Sequence, residues 1–234
     1  MNNLLQPIIH NFCFESLIQT IWCRLNYKNC TEIFQENFFN FGIQIYPMNV
    51  SRCNWCGSDP LYVKYHDEEW GVPVYDDAKL FEFLILETFQ AGLSWITVLR
   101  KRENFRKAFD QFDYHKIAEY DERKYDKLLQ DAGIIRNRLK IRATISNAKS
   151  FIKIQEEFGS FSNYIWKFTN DKPIINTSEN LQAIPAKTAL SDKISKDLKK
   201  RGFKFVGSTV VYAHMQATGM VNDHVTSCFR HDQV

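Results

Sequence analysis

The sequence CNWCGSDPLYVKYHDEEW, residues 53–70, places two cysteines, one histidine and four aromatic side chains within a short segment. Near the other end of the chain, HVTSC, residues 224–228, adds a histidine and a cysteine separated by three residues. That spacing suits one side of a metal site. The two segments together predict a metal clasp between the ends of one domain. The alternative is that these cysteines and histidines lie unligated in the core.

A lone acidic residue follows in an apolar segment. From Asp76 or Asp77, which can cap a helix, apolar side chains recur at helical spacing, and Glu87 lies near the end of that helix. The turn AGLSW, residues 91–95, comes next, and its Ser94 can cap a second helix. Together with the aromatic residues of the first segment, this acid and this glycine turn predict a pocket that holds a flat ring.

A glycine-containing turn joins two predicted helices in the middle of the chain. One helix begins after Asp121 and stops at Gly133, and apolar spacing resumes at Ile141 in the next. So short a connection predicts a helix-hairpin-helix, whose backbone N–H groups and helix dipole favour a phosphate oxygen. Three basic side chains strengthen this preference: Arg136, Arg138 and Lys140.

The remaining pattern predicts a mainly α-helical domain. The helix after Ser94 is expected to expose a strongly basic side formed by Arg100, Lys101, Arg102, Arg106 and Lys107. A later helix is predicted to end before Gly202, and Ser208 is predicted to cap the last helix. Strand signals are limited to short runs such as residues 174–175.

Composition indicates a globular protein with one substantial domain or two small ones. Of its 234 residues, 44% are hydrophobic and 15% aromatic, which is enough for a well-filled core. The formal net charge of +3 permits a nucleic-acid partner without demanding one. Six cysteines at irregular spacing favour a reducing cytoplasm and metal binding over a disulfide framework. No apolar run reaches the roughly 18 residues of a membrane span.

Residues 1–47 differ in composition from the rest, because asparagine, phenylalanine and isoleucine are common there and charged residues are few. Met48 stands just before the first motif. We therefore expect a natural start at Met48, an atypical extension over residues 1–47 that is not native to the domain, and a functional domain over residues 48–234. The alternative is a short amphipathic helix around residues 14–23 that packs on the domain.

Taken together, these residues resemble the 3-methyladenine DNA glycosylase I family, a bacterial branch of the helix-hairpin-helix glycosylases. The resemblance covers residues 52–229 and is carried by motifs that follow one another in the family's order. These motifs are Cys53-x-Trp55, Asp59-Pro60-Leu61-Tyr62, Tyr65-His66-Asp67, Glu69-Trp70-Gly71, Ala91-Gly92-Leu93-Ser94-Trp95, Asp131-Ala132-Gly133-Ile134-Ile135-Arg136, the segment from Lys199 to Gly207, and Asn222-Asp223-His224-Val225.

The resemblance implies a monofunctional DNA glycosylase that hydrolyses the N-glycosidic bond of 3-methyladenine in double-stranded DNA and so starts base excision repair. It also implies a helix-hairpin-helix glycosylase fold with a zinc clasp, a structural Zn²⁺ whose ligands correspond to Cys53, His66, His224 and Cys228. Because Cys56 makes a Cys-x-x-Cys pair with Cys53, which of these two cysteines binds the metal stays open. We expect a cytoplasmic monomer, since one protomer can act on one lesion.

The resemblance assigns Glu87 to recognition of the base, as an acceptor from the amino edge of 3-methyladenine; activation of water by Glu87 is an open second role. Four aromatic side chains can stack on the extruded ring: Tyr62, Tyr65, Trp70 and Trp95. Among them, Tyr65 and Trp95 are expected to enclose the base. Leu93 is a candidate wedge for the gap left in the duplex. Contacts with DNA are expected from the hairpin residues Gly133, Ile134, Arg136 and Lys140.

Each of these residues also has an ordinary structural interpretation. A lone glutamate is more often exposed or bonded to a backbone amide, and aromatic residues and leucines more often belong to the core. Two other functions stay open, namely a zinc-stabilised DNA-binding module without catalysis and a metallohydrolase. The pocket acid favours an enzyme over a binding module. A closed set of four ligands disfavours the metallohydrolase, because it leaves no position for a catalytic water.

Overall fold

The computed structural model describes residues 50–234, so the predictions for residues 1–47 and for the start at Met48 lie outside the described residues. This part of the chain is mainly helical, as predicted, with a two-stranded parallel sheet. The helices are α1 (Pro60–Glu68), α2 (Asp77–Gln90), α3 (Trp95–Ala108), α4 (Tyr114–Ala118), α5 (Glu122–Gln130), α6 (Arg138–Phe158), α7 (Phe161–Trp166), α8 (Ala189–Lys200) and α9 (Ser208–Ala217). The strands are β1 (Ile174–Ile175) and β2 (Val221–Asn222). Short 3-10 helices lie at Asn54–Cys56, Asp110–Phe112, Lys167–Thr169 and Leu181–Ala183.

Polar side chains define where the helices near the candidate site begin. Asp59 precedes α1 and accepts hydrogen bonds from the backbone N–H groups of Leu61 and Tyr62. Asp76 precedes α2 and accepts from the N–H of Lys79 at 2.8 Å. Because each carboxylate satisfies N–H groups that have no partner inside the helix, local sequence sets these boundaries.

Neither of the two serines predicted as caps makes a side-chain hydrogen bond to a helix N–H. The N-cap of α9 is Gly207, one residue before Ser208, and the Ser208 hydroxyl instead lies 2.8 Å from the hydroxyl of Ser191. Ser94 is the N-cap of α3 as predicted, but its hydroxyl pairs with that of Thr97 and makes no bond to a helix N–H. Both serine hydroxyls therefore stabilise packing or the turn rather than the helix amides.

Helix α2 is the centre of the domain. All of its residues from Leu80 to Phe89 are buried, so the helix is enclosed on every side and not only along one amphipathic face. It packs against α3, α6, α7 and α9. Since Glu87 belongs to this helix, its carboxyl group is carried into the interior by the surrounding helices.

The predicted pair of helices around Gly133 is present as α5 and α6. Helix α5 ends at Gln130, three residues before the predicted stop, and the turn is held by Asp131, whose carboxylate accepts from the N–H of Gly133 at 2.8 Å. A Cβ atom on Gly133 would lie 2.9 Å from that carboxylate and 3.2 Å from Cβ of Asn104. A side chain at this position would have to displace the Asp131 carboxylate or Asn104, so the close approach of the turn to α3 favours glycine.

The exposed basic side predicted for α3 is interrupted at Arg102. This residue is only 5% exposed, and its guanidinium bonds to the carboxylates of Glu82 on α2 and Glu69 after α1. Arg102 therefore joins three segments inside the protein, and the prediction that it lies on the exposed side is wrong. Sequence periodicity alone could not reveal these two partners, which come from α2 and from the segment after α1.

The short sheet connects the C-terminal segment to the loop after α7. Ile174 pairs with Val221 and Ile175 with Asn222 in parallel register, as the short strand signal at residues 174–175 predicted for the first strand. This pairing lies two residues before His224. Among the helices of residues 50–234, none is both long enough and apolar enough to cross a membrane.

Candidate functional site

Four buried side chains from the two ends of the domain meet in one cluster, formed by Cys53, His66, His224 and Cys228. Their nearest sulfur and nitrogen atoms all lie within 4.8 Å of one another. Sγ of Cys228 lies 3.4 Å from Nε2 of His66 and 3.5 Å from Nδ1 of His224. Tetrahedral zinc with bonds of about 2.0–2.3 Å would separate its ligand atoms by about 3.3–3.8 Å. The cluster therefore has the composition and spacing of a site that could bind a metal.

The outer hydrogen bonds of the two histidines orient their lone pairs toward the cluster. Nδ1 of His66 lies 2.7 Å from the carboxylate of Asp67, which is also held by Arg52. Nε2 of His224 lies 3.1 Å from the carbonyl oxygen of Trp70. Because both partners accept hydrogen bonds, each ring carries its proton on the outer nitrogen and presents the other nitrogen inward.

The two cysteines of this cluster differ in acidity. The interaction between the two thiols is the largest cause that lowers the pKa of Cys228 below its ordinary value and raises the pKa of Cys53. Cys56 lies outside the cluster, and its thiol donates to the carbonyl oxygen of Cys53 at 3.2 Å. The geometry thus favours Cys53 over Cys56 as the ligand.

A cavity of about 320 Å³ opens beside the cluster. Predicted residues from three elements line it: Tyr62 and Tyr65 of α1, Trp70, Glu87 of α2 and Trp95 of α3. Sequence reasoning did not select the other lining residues, which are Trp55, Gln90, Leu181, Ile184, Ala213 and Gln216. Trp55 belongs to the Cys53-x-Trp55 motif and could have been included on that signal. Gln216 reaches the cavity from α9, and no local pattern marks it.

Glu87 is the one carboxylic acid among the described residues that line this cavity. Its side chain is 3% exposed, and its Oε2 atom has no hydrogen-bond partner among residues 50–234. Burial raises the pKa of Glu87 to about 8, because the charged form loses water without gaining a partner. The indole N–H of Trp95 is likewise buried without a partner in the described part of the chain. The indole N–H of Trp55 is in the same state, so the described cavity wall contains an unsatisfied acceptor and two unsatisfied donors.

The rings of Tyr65 and Trp95 lie too close together to hold a base between them as they stand. Their centroids are 5.4 Å apart and their planes are inclined by 46°. A flat ring stacked on both would need a separation of roughly 7 Å, twice an ordinary contact distance between carbon atoms. The expected enclosure of the base is thus not preformed, and it requires the two rings to move apart.

Leu93 lies outside the cavity, on the turn between α2 and α3. Its side chain is 43% exposed, and the preceding Gly92 has φ of +86°, which favours glycine at this turn. An exposed leucine on a tight turn is not a core residue. The position is compatible with a wedge.

The hairpin residues divide into exposed and buried ones. Arg136 and Arg138 are exposed, whereas the side chain of Ile134 is buried. Lys140 is 6% exposed, and its ammonium group donates to the carbonyl oxygens of Phe89 and Ala91, each at 3.0 Å. Its position contradicts the prediction that the Lys140 side chain contacts DNA, because its donors are directed into the protein.

Comparison with known proteins identifies the class to which this fold and site belong. Residues 55–231 match the model of the family described as methyladenine glycosylase, and the chain belongs to this family. DNA-3-methyladenine glycosylase 1 of Escherichia coli strain K12 is 52% identical over 179 residues, which cover 76% of this chain and 96% of that protein. DNA-3-methyladenine glycosylase of Haemophilus influenzae is 49% identical, with coverage of 76% and 97%.

Solved structures show the same relationship. The protein in a crystal structure of 3-methyladenine DNA glycosylase I is 53% identical to this chain, with a TM-score of 0.75. The match covers 76% of this chain and 98% of the chain in that structure. The enzyme from Staphylococcus aureus, solved to show the structural basis of 3-methyladenine recognition, is 36% identical with a TM-score of 0.74 and coverage of 76% and 97%. The described helical domain therefore has the fold of these enzymes.

Proposed function

We propose that this protein is a monofunctional DNA-3-methyladenine glycosylase that removes 3-methyladenine from double-stranded DNA by hydrolysis. The observation that carries the proposal is the buried, unpaired carboxyl group of Glu87 in an aromatic cavity. The names of the relatives point to the same substrate. A cavity with one unpaired acceptor suits an extruded base that brings its own N–H donors.

Glu87 can distinguish a cationic base from a neutral one. With a pKa of about 8, the carboxyl group is mostly protonated at neutral pH. A positively charged 3-methyladenine stabilises the carboxylate, so its binding releases a proton. Ionising the group at pH 7 costs only about 1.4 kcal/mol, which one charge-assisted hydrogen bond can offset. A neutral adenine offers no comparable attraction to the carboxylate.

The chemistry requires little from the protein beyond capture of the base. Methylation at N3 gives adenine a positive charge and makes it a good leaving group, so the glycosidic bond can break through an oxocarbenium-like state that water captures. The cavity lining in the described residues contains no lysine that could form a Schiff base with the sugar. These features support hydrolysis without strand cleavage. Activation of the water by Glu87 is a secondary proposal.

A structural zinc ion is part of the proposal, with Cys53, His66, His224 and Cys228 as ligands. The metal would supply cross-linking between the two ends of the domain, because four protein ligands leave no coordination position for water. The carbonyl oxygen of Trp70 bonds to the outer nitrogen of His224, so the same cluster braces one wall of the cavity.

DNA engagement is assigned to the helix-hairpin-helix formed by α5, its turn and α6. We propose that backbone N–H groups around Gly133 and Ile134, with the exposed Arg136, bind the phosphate backbone. Leu93 would enter the gap left by the extruded base. A monomer is part of this proposal, since one chain carries both the cavity and the hairpin. The domain boundary at residue 48 and the cytoplasmic location are further parts of it.

Release of free 3-methyladenine from alkylated duplex DNA, followed by chromatography, tests the function. We expect release by the wild type and a reduction of about 10- to 100-fold in Glu87→Gln, which cannot become anionic. Glu156→Gln, a matched change at an exposed position of α6, should behave as the wild type. DNA binding without any release by the wild type would instead support the binding module, and equal rates in all three would remove Glu87 from the mechanism.

A further inference from the structure

Lys140 has an unusual position for a lysine next to a proposed DNA-binding turn. It lies in the first turn of α6, and its ammonium group bonds to the carbonyl oxygens of Phe89 and Ala91 at 3.0 Å each. The ion pairs of the described residues do not include Lys140. Its buried charge is therefore satisfied by backbone carbonyls alone.

Those two carbonyls belong to the end of α2. The last carbonyl groups of a helix have no partner within the helix and carry the negative end of its dipole, so a cation there is favourable. The carbonyl of Gln90, between the two, accepts from the N–H of Leu93 at 2.6 Å. Lys140 and Leu93 together satisfy three successive carbonyls and hold the chain where it leaves α2.

The backbone of Lys140 is also engaged inside the protein. Its N–H donates to the side chain of Asn137, the N-cap of α6, at 3.1 Å. Asn137 is the last residue of the hairpin turn. One residue thus connects the turn proposed to bind phosphates with the end of the helix that carries Glu87 and Gln90 into the cavity.

We infer that Lys140 is a positioning residue, which holds the turn Ala91–Ser94 at a set distance from the hairpin instead of contacting DNA. The inference rests on the proposed glycosylase function. Base extrusion needs the wedge and the phosphate contacts to act on the same stretch of duplex. The bonds from Lys140 on α6 to the carbonyl oxygens of Phe89 and Ala91 keep Leu93 at a fixed position relative to the hairpin when both contact the duplex.

The salt dependence of DNA binding separates positioning from direct contact. Here the slope means the magnitude of the fall of log K with log salt, and each lost phosphate contact lowers it by about 0.9. For Lys140→Met, which removes the charge but keeps an unbranched side chain, we expect an unchanged slope and a fall of about 10-fold or more in single-turnover release at saturating DNA. Arg136→Met, at an exposed position of the hairpin, should lower the slope by about one.

Two further measurements make the result decisive. Titration with free 3-methyladenine counts active protein, so that misfolded material does not lower the apparent rate. Lys149→Met, the same substitution at an exposed position of α6, should change neither the slope nor the rate. A lowered slope in Lys140→Met would indicate a direct phosphate contact and overturn the inference, as would a wild-type rate. Failure of the wild type to release 3-methyladenine would overturn the proposed function instead.

Discussion

The Sγ atom of Cys53 lies 3.6 Å from Nδ1 of His224, although 171 residues separate the two along the chain. A metal ion between them would cross-link the ends of the described domain. In the chain-entropy model, a cross-link across so long a loop stabilises the folded state by about 5 kcal/mol. The cluster can therefore matter for stability without taking part in the chemistry.

Removal of a ligand should release the metal and destabilise the protein. For Cys228→Ser we expect loss of stoichiometric zinc and a free energy of unfolding lower by about 3 kcal/mol or more. Metal content by mass spectrometry and urea unfolding measure these effects. Cys56→Ser is the matched control and should retain zinc, because the Cys56 thiol faces the carbonyl of Cys53 and not the cluster. Loss of zinc from that control would contradict the ligand set.

The stability of the protein should fall with rising pH because of Glu87. Burial raises the pKa of this group from 4.5 to about 8 in the folded protein. Between these values the folded state holds a proton that the unfolded state releases, so a higher pH favours unfolding. The stabilisation is complete below the unfolded pKa and is lost as the pH rises through the folded one. At about 1.4 kcal/mol per unit, its upper bound is about 5 kcal/mol.

Comparison of urea unfolding at several pH values isolates this contribution. Relative to the wild type, Glu87→Gln should gain stability as the pH rises from about 5 to about 8, since glutamine does not titrate. Glu156→Gln, with an exposed carboxylate removed, should follow the wild type. A difference between Glu87→Gln and the wild type that is independent of pH would rule out a buried neutral carboxyl group.

Base binding should depend on Trp95 and should change its surroundings. Because its ring lies only 5.4 Å from that of Tyr65, entry of a base between the two must displace a ring. Stacking contributes about 1–3 kcal/mol per base, so Trp95→Leu should weaken binding of free 3-methyladenine by about 10-fold or more. Calorimetry measures the affinity. Tyr75→Leu, at an exposed aromatic outside the cavity, is the control and should bind as the wild type. Wild-type affinity in Trp95→Leu would show that the Trp95 ring takes no part in binding the base.

The exposed Leu93 should affect extrusion and not folding. Leu93→Ala removes a side chain that is 43% exposed, so its free energy of unfolding should stay within about 0.5 kcal/mol of the wild type. Release of 3-methyladenine from duplex DNA should slow, whereas release from single strands should not, because only the duplex leaves a gap to fill. Leu139→Ala, another exposed leucine, serves as the control. An equal effect on both substrates would exclude a wedge.

Local features of the sequence were sufficient to predict most helices near the site. Helix α2 is capped by Asp76, one of the two predicted candidates, and α5 begins after Asp121 as predicted, since capping depends on residues within one turn. The candidate ligand set required the structure as well, because the sequence left Cys56 open as an alternative to Cys53. The predictions of helix boundaries and of candidate metal ligands depended on residue type and on the order of residues along the chain. The roles proposed for Glu87 and for the hairpin still depend on the experiments above.

What the sequence determined by itself was the mainly helical class and the family, whereas the choice of Cys53 over Cys56 beside His66, His224 and Cys228 came from the structure. Only the tertiary structure decided the direction of long side chains, whose partners come from distant helices. Lys140 and Arg102 both occur in basic stretches, yet both are buried. The carbonyl oxygens of Phe89 and Ala91 satisfy the charge of Lys140, and the carboxylates of Glu82 and Glu69 satisfy that of Arg102. Burial of a cation depends on what surrounds it in space, and no local pattern records those neighbours.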